Sequence, residues 1–160
     1  MKLSQQTHNG LKIAYELGTV FPQEISSSRL AEKLFLSQKY LEKILRPLLK
    51  RGVVKASRGV NGGYRLAQSP AEVTAGDVVR ALEDDMEIIG CVKMPCTACP
   101  TSAVWRKLYD GINQVLDGIT ISQMMEEHEQ HKANCHKDTN HASNISGSCS
   151  NDETETGSAE

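Results

Sequence analysis

The chain has 160 residues, 39% of them hydrophobic, 4% aromatic and 24% charged, which suits one ordinary folded domain with an appended element and is too apolar for a wholly disordered chain. No run of about 18 apolar residues occurs and the start, Met1-Lys2-Leu3-Ser4-Gln5-Gln6, lacks the apolar stretch of a signal peptide, so a cytoplasmic location and no membrane partner are expected. The net charge of −2 hides a split: residues 1–70 carry 12 Lys and Arg against 4 Asp and Glu, residues 71–160 carry 6 against 16, the pattern of a nucleic-acid-binding part joined to an acidic part with another task.

Taken in order, Leu11, Ile13, Ala14, Tyr15 and Leu17 predict a short helix over residues 9–18, with Gly18 as its stop. The Ser26-Ser27-Ser28 cluster offers N-caps for a second helix whose apolar positions are Leu30, Ala31, Leu34 and Phe35. Ser37 then caps a third, with Leu41, Ile44, Leu45, Leu48 and Leu49 as its buried stripe, Gly52 as its end and Pro47 as a point of bending. Two helices joined by so short a turn, the second carrying Gln38, Lys39, Glu42, Lys43 and Arg46 off its apolar stripe, match a helix-turn-helix, although an ordinary helical hairpin with a solvated face would read the same way.

The next stretch favours the helix-turn-helix. Residues 53–56 and 64–67 predict two short strands around Ser57-Arg58-Gly59-Val60-Asn61-Gly62-Gly63, a hairpin that would form a wing. Ser69 and Thr74 each open a helical turn with an acid three residues on, and a helix is expected over residues 75–83.

Next comes Gly90-Cys91-Val92-Lys93-Met94-Pro95-Cys96-Thr97-Ala98-Cys99-Pro100. Thiolates are preferred ligands of zinc and iron-sulfur clusters, and the two prolines favour the sharp turns that would bring three thiols together. A structural zinc site normally closes with four ligands, so three cysteines imply either an incomplete set or a fourth ligand from elsewhere. In a reducing compartment the five cysteines of the chain point to metal or redox chemistry rather than a disulfide framework. A thiol oxidoreductase using Cys96-Thr97-Ala98-Cys99 would need a βαβ setting that the pattern lacks, so no enzyme is expected.

Beyond the cysteines, Val104, Leu108, Ile112, Val115 and Ile119, widened by Trp105 and Leu116, predict a long amphipathic helix over residues 101–119 that needs a partner. Thr120 caps a last helix to about residue 130. From about residue 132 the chain is almost free of apolar residues and reads as a disordered tail, in which His131, Cys135, His136, His141 and Cys149 are taken as incidental.

The wing Arg58-Gly59-Val60-Asn61-Gly62-Gly63-Tyr64-Arg65-Leu66-Ala67, the stretch Tyr40-Leu41-Glu42-Lys43-Ile44-Leu45, the opening Met1-Lys2-Leu3-Ser4 and Ala103-Val104-Trp105-Arg106 after a cysteine-rich loop together resemble the bacterial Rrf-two superfamily of winged-helix transcription regulators, over about residues 1–130. The resemblance implies a mainly α fold with a small β-wing: a winged helix-turn-helix domain at residues 1–83, a cluster-binding loop at 84–100, a dimerisation helix and last helix at 101–130, and a tail at 131–160. It implies a homodimer on double-stranded DNA at a palindromic operator. Ser37, Gln38, Lys39, Tyr40, Glu42 and Lys43 on the third helix and Arg58, Gly59 and Arg65 on the wing would make the contacts, with Arg58 in the minor groove, Lys39, Lys43 and Arg65 on phosphates and Glu42 on a cytosine amino group.

In the IscR/NsrR-type sensor branch the resemblance further implies an iron-sulfur cluster on Cys91, Cys96 and Cys99. The spacing is tighter than in IscR- or NsrR-type proteins and leaves both [2Fe-2S] and [4Fe-4S] open. The position of the IscR-type histidine ligand is Ser102 here, while the N-terminal-helix position from which NsrR-type proteins draw an acidic ligand in the other subunit is His8, which becomes the expected fourth ligand. The alternative is a winged-helix regulator whose thiols hold zinc or form a reversible disulfide.

Overall fold

The computed structural model describes residues 4–59, 62–83 and 99–138, the last four by backbone alone. Cys91 and Cys96, most of the cysteine loop and the tail beyond residue 138 therefore lie outside the described residues. Among the described residues, six helices and one two-stranded antiparallel sheet run in the order α1 Gln5–Val20, α2 Ser27–Lys33, α3 Gln38–Lys50, β1 Val54–Ala56, β2 Tyr64–Leu66, α4 Ala75–Leu82, α5 Ser102–Gly118 and α6 Ile121–Asp138.

Helix α1 is longer than its apolar stripe predicts at both ends. Ser4 caps it by accepting from the Thr7 backbone N–H at 3.2 Å, so the polar residues 5–8 join the helix. Gly18 does not end it: a Cβ there would come within 2.9 Å of Ile121 and 3.0 Å of Met125 Sδ, so this glycine lets α6 pack close against α1. Helix α2 stops at Lys33, earlier than expected. The Leu36 N–H reaches back to the Ala31 carbonyl at 2.9 Å, and Phe35 takes a left-handed φ of 52° between them, the geometry of a Schellman stop that usually uses glycine. Phe35 is consequently 97% exposed rather than part of the core stripe.

Helix α3 forms as its cap and stripe predict: Ser37 Oγ accepts from the Tyr40 N–H at 3.3 Å, and Leu41, Ile44, Leu45 and Leu48 are buried, with Leu49 partly so. The helix continues through Pro47. The wing strands pair Val54 with Leu66, Lys55 with Arg65 and Ala56 with Tyr64, and Ile25 adds an antiparallel bridge to Tyr64. Thr74 and Asp77 form a reciprocal capping box on α4. The core draws Ile13 and Leu17 from α1, the four α3 residues, Leu66, Val73, Val78 and Ile121. A mainly α winged helix with a small β-wing is the observed architecture.

Helix α5 has no buried residue, and Val104, Leu108 and Val115 are 62%, 45% and 61% exposed. It is attached at its far end, where Arg80 Nη2 meets Asp117 Oδ1 at 2.6 Å and the Ala75 and Ile121 N–H groups bond to the Ile119 and Val73 carbonyls. Helix α6 continues to Asp138, well past the expected end near residue 130. Once nucleated on buried Ile121, the helix can extend through good helix formers such as Ala133 and through the Glu129–Lys132 pair at 3.3 Å without any core. Low apolar content alone misjudged that segment as tail.

Candidate nucleic-acid interface and cysteine site

Burying Leu41, Ile44, Leu45 and Leu48 turns the opposite side of α3 outward, so Ser37, Gln38, Lys39, Glu42, Lys43 and Arg46 are exposed and Tyr40 is partly so. Gln38 Nε2 donates to Ser27 Oγ at 3.1 Å, tying the first turn of α3 to the first turn of α2. Both helices thus present N-terminal backbone N–H groups and small hydroxyls near one surface, where anions are favoured. Arg58 and Gly59 are exposed at the wing, with Gly59 at a φ of 122°. Arg65, expected as a phosphate contact, lies at the wing base, with Nε 3.6 Å from Glu24 Oε1 and Nη1 donating to the Leu66 carbonyl at 3.2 Å.

An open cleft of about 640 Å³ lies between the basic face of α3, at Lys39, Lys43 and Arg46, and a wall of Gln6, Ala81 and Leu82. The end of α4, from which the chain enters the cysteine loop, is therefore next to the face that would read DNA. That end is fixed by Glu83, whose carboxylate accepts from the Ser4 N–H at 2.9 Å and from the Thr7 hydroxyl. The Thr7 side-chain bond, and after it those from Ser4, hold the Glu83 carboxyl below the usual carboxylate range. In sequence Glu83 is only the last residue of the helix expected over residues 75–83; a bond across 79 residues leaves no local signal.

At the other end of the loop, Cys99 is partly exposed just ahead of α5, with Sγ 3.2 Å from Thr101 Oγ1. Hydrogen bonding from Thr101, first through its hydroxyl, lowers the thiol's pKa and favours the thiolate that ligates metal. Thr101 makes no side-chain cap to α5, which fits its hydroxyl facing the sulfur. His8 is exposed and lines a groove of about 600 Å³ with Tyr15, Phe35, Met124, His128 and His131; the Tyr15 and His128 rings lie 5.3 Å apart. The structure thus describes two of the four expected ligands, Cys99 and His8. Among the described residues no three His, Cys, Asp or Glu side chains are grouped to hold a metal ion. Thiolate and imidazole donors suit both iron and zinc.

Comparison with known proteins places this architecture. Residues 3–127 match the Rrf2 model, described as an iron-dependent transcriptional regulator. The chain belongs to the Rrf2 family. The transcriptional regulator CymR of Bacillus subtilis is 33% identical over 125 residues, covering 78% of this chain and 89% of CymR. The regulator IscR of Aliivibrio salmonicida is 36% identical over 104 residues, and the chain spans 62% of that relative's length. The solved structure of T. potens IscR superposes with a TM-score of 0.67 at 33% identity, covering 82% of this chain and 90% of that one. These Rrf2 relatives are transcriptional regulators rather than enzymes, and among the described residues no helix is long and apolar enough to cross a membrane.

Proposed function

We propose that this Rrf2 regulator binds a palindromic DNA operator as a homodimer, and that an iron-sulfur cluster, [2Fe-2S] or [4Fe-4S], on Cys91, Cys96 and Cys99 controls its affinity, with His8 of the partner subunit as fourth ligand. The observation that carries this reading is where the cysteine loop is anchored. It leaves from Glu83, bonded to the first turn of α1 and next to the cleft behind α3, and it returns at Cys99, immediately ahead of α5.

The DNA contacts are those the exposed faces permit. Helix α3 enters the major groove with Ser37, Gln38 and Tyr40 at its leading end, Lys39 and Lys43 on phosphates and Glu42 accepting from a cytosine amino group. Arg58, beside Gly59, reaches the adjacent minor groove. The exposed stripe of Val104, Leu108 and Val115 on α5 pairs with its twin, removing from water apolar surface that one subunit leaves open. The cluster, when bound, supplies iron that responds to redox state, nitric oxide or iron supply. The chain's own part is to hold the thiols and to transmit order in the loop to the end of α4 and the start of α5, which set the two DNA-reading faces relative to each other.

Anaerobic purification with iron, sulfide and zinc analysis tests the cofactor. Protein absorbing near 400 nm with stoichiometric iron and sulfide supports the cluster. Colourless protein with stoichiometric zinc favours the zinc reading, which the same thiolate and imidazole chemistry permits. Colourless, metal-free protein favours the reversible disulfide.

A further inference from the structure

The wing is braced by a residue outside the helix-turn-helix and outside the hairpin. After α1 the chain passes under β2, where Ile25 and Tyr64 exchange backbone hydrogen bonds of 3.0 and 2.9 Å. The seam is tight enough that a Cβ on Gly63 would lie 2.5 Å from the Ile25 carbonyl oxygen. This contact sets Glu24, the residue before Ile25, at the base of the wing. One oxygen of its carboxylate accepts from the Ser57 hydroxyl, and the other faces Arg65 Nε at 3.6 Å. Arg65 is held from a second side by the Leu66 carbonyl. With side chains 32% and 26% exposed, Arg65 and Glu24 form a half-buried pair rather than two solvated surface charges. Arg58, one residue after Ser57, is exposed.

We propose that Glu24 is a positioning residue of the wing: it holds Arg65 back from DNA phosphates, so that the wing engages DNA through Arg58 and not through Arg65. The inference rests on the DNA-binding reading and is independent of any cluster. A cation free to meet a phosphate adds affinity for every sequence alike, because it releases counterions wherever it lands. Such a uniform gain cancels in the ratio of operator to indiscriminate binding, so pairing one wing arginine internally lowers affinity and salt dependence on every duplex without altering base readout. The carboxylate would itself repel a phosphate; paired with Arg65 it makes the wing base neutral.

The test uses the full chain and two 30-base-pair duplexes, one selected by the wild-type protein from a random pool and one fixed, unselected sequence, with affinity measured against salt. Arg65→Ala alone should leave the salt slope on the unselected duplex unchanged. Glu24→Gln, which keeps an acceptor for Ser57 but not the charge, should steepen that slope by about one phosphate's worth, roughly 0.9. It should also tighten binding to both duplexes several-fold and leave the preference for the selected duplex unchanged. Adding Arg65→Ala to Glu24→Gln should abolish the gain, while Arg58→Ala should weaken binding to the selected duplex. The proposal is overturned if Arg65→Ala alone makes the slope shallower by about one, if Glu24→Gln leaves it unchanged, or if the gain survives in the double variant, which would assign it to the carboxylate's charge alone. Should Glu24→Gln fail to fold, Arg65→Ala alone still decides. Wild-type protein without salt-dependent duplex binding would instead remove the DNA-binding reading.

Discussion

Replacing Glu83 with alanine removes the anchor between α4 and the start of α1. Two acceptor bonds are lost, from the Ser4 N–H at 2.9 Å and from the Thr7 hydroxyl. Thr7 is buried, but its hydroxyl keeps a neighbour in Ser4 Oγ at 3.1 Å, so it is not left wholly unpartnered. Hydrogen bonds to a charged group are worth about 1.5–3 kcal/mol, and partial exposure of Glu83 and Ser4 puts both near or below the lower end, so the total loss is about 2 kcal/mol. For a chain of this size that is a drop in melting temperature of about 4–8 °C. The sign with pH is set by the lowered carboxyl pKa. A group depressed on folding contributes its full stabilisation above its unfolded pKa, about 4.3 for Glu, and loses it as pH falls through the folded value. Melts recorded by far-UV circular dichroism should therefore show a constant gap between wild type and variant from pH 7 to about pH 5, closing below about pH 4. Glu83→Gln, which keeps an acceptor without the charge, should show a smaller deficit at neutral pH that also narrows as the wild-type carboxyl protonates below about pH 4. No gap at pH 7, or an equal gap at pH 7 and pH 3.5, would refute the bond's assigned role.

Leu108→Glu would bury an unpaired charge in the proposed α5 pairing, at about 3–5 kcal/mol, more than a hundredfold in dimer dissociation. Because Leu108 is 45% exposed within one subunit, the variant should be a folded monomer in sedimentation, and an intact dimer would count against the pairing. Phe35→Gly should stabilise the protein by about 0.5–1 kcal/mol, since relief of left-handed strain exceeds the extra unfolded-state entropy of glycine, and a loss of stability would contradict the strain. His8→Ala should leave the oligomeric state unchanged while altering the cluster's absorption and its lifetime in air; an anaerobic variant unchanged in both would rule His8 out as a ligand.

The elements that positioned the recognition face were readable because their signals are local. Ser37 three residues before an accepted N–H, and leucines at helical spacing after it, specify α3 with no help from the rest of the chain. Where the reading failed, a distant contact or a backbone state decided. Gly18 resembled a helix stop because its packing partners, Ile121 and Met125, lie about a hundred residues on. Phe35 continued an apolar spacing, but the chain turned left-handed there despite the residue's bulk. Of the site, Cys91, Cys96, Cys99 and His8 were readable as chemistry, although Cys91 and Cys96 lie outside the described residues. Glu24 and Glu83 were not readable as parts of a site at all. Each acts through partners 33 to 79 residues away, and an acid on a turn looks the same in sequence whether it is solvated or clasped.

Control of DNA binding by the cysteine loop is tested most directly by the affinity of one preparation for one selected duplex, at fixed salt and without oxygen, before and after the cluster is removed. Such control predicts a change in dissociation constant of tenfold or more between the two forms, equivalent to about 1.4 kcal/mol of coupling, with the secondary structure and dimer unchanged. Equal affinities for cluster-bound and cluster-free protein would contradict it.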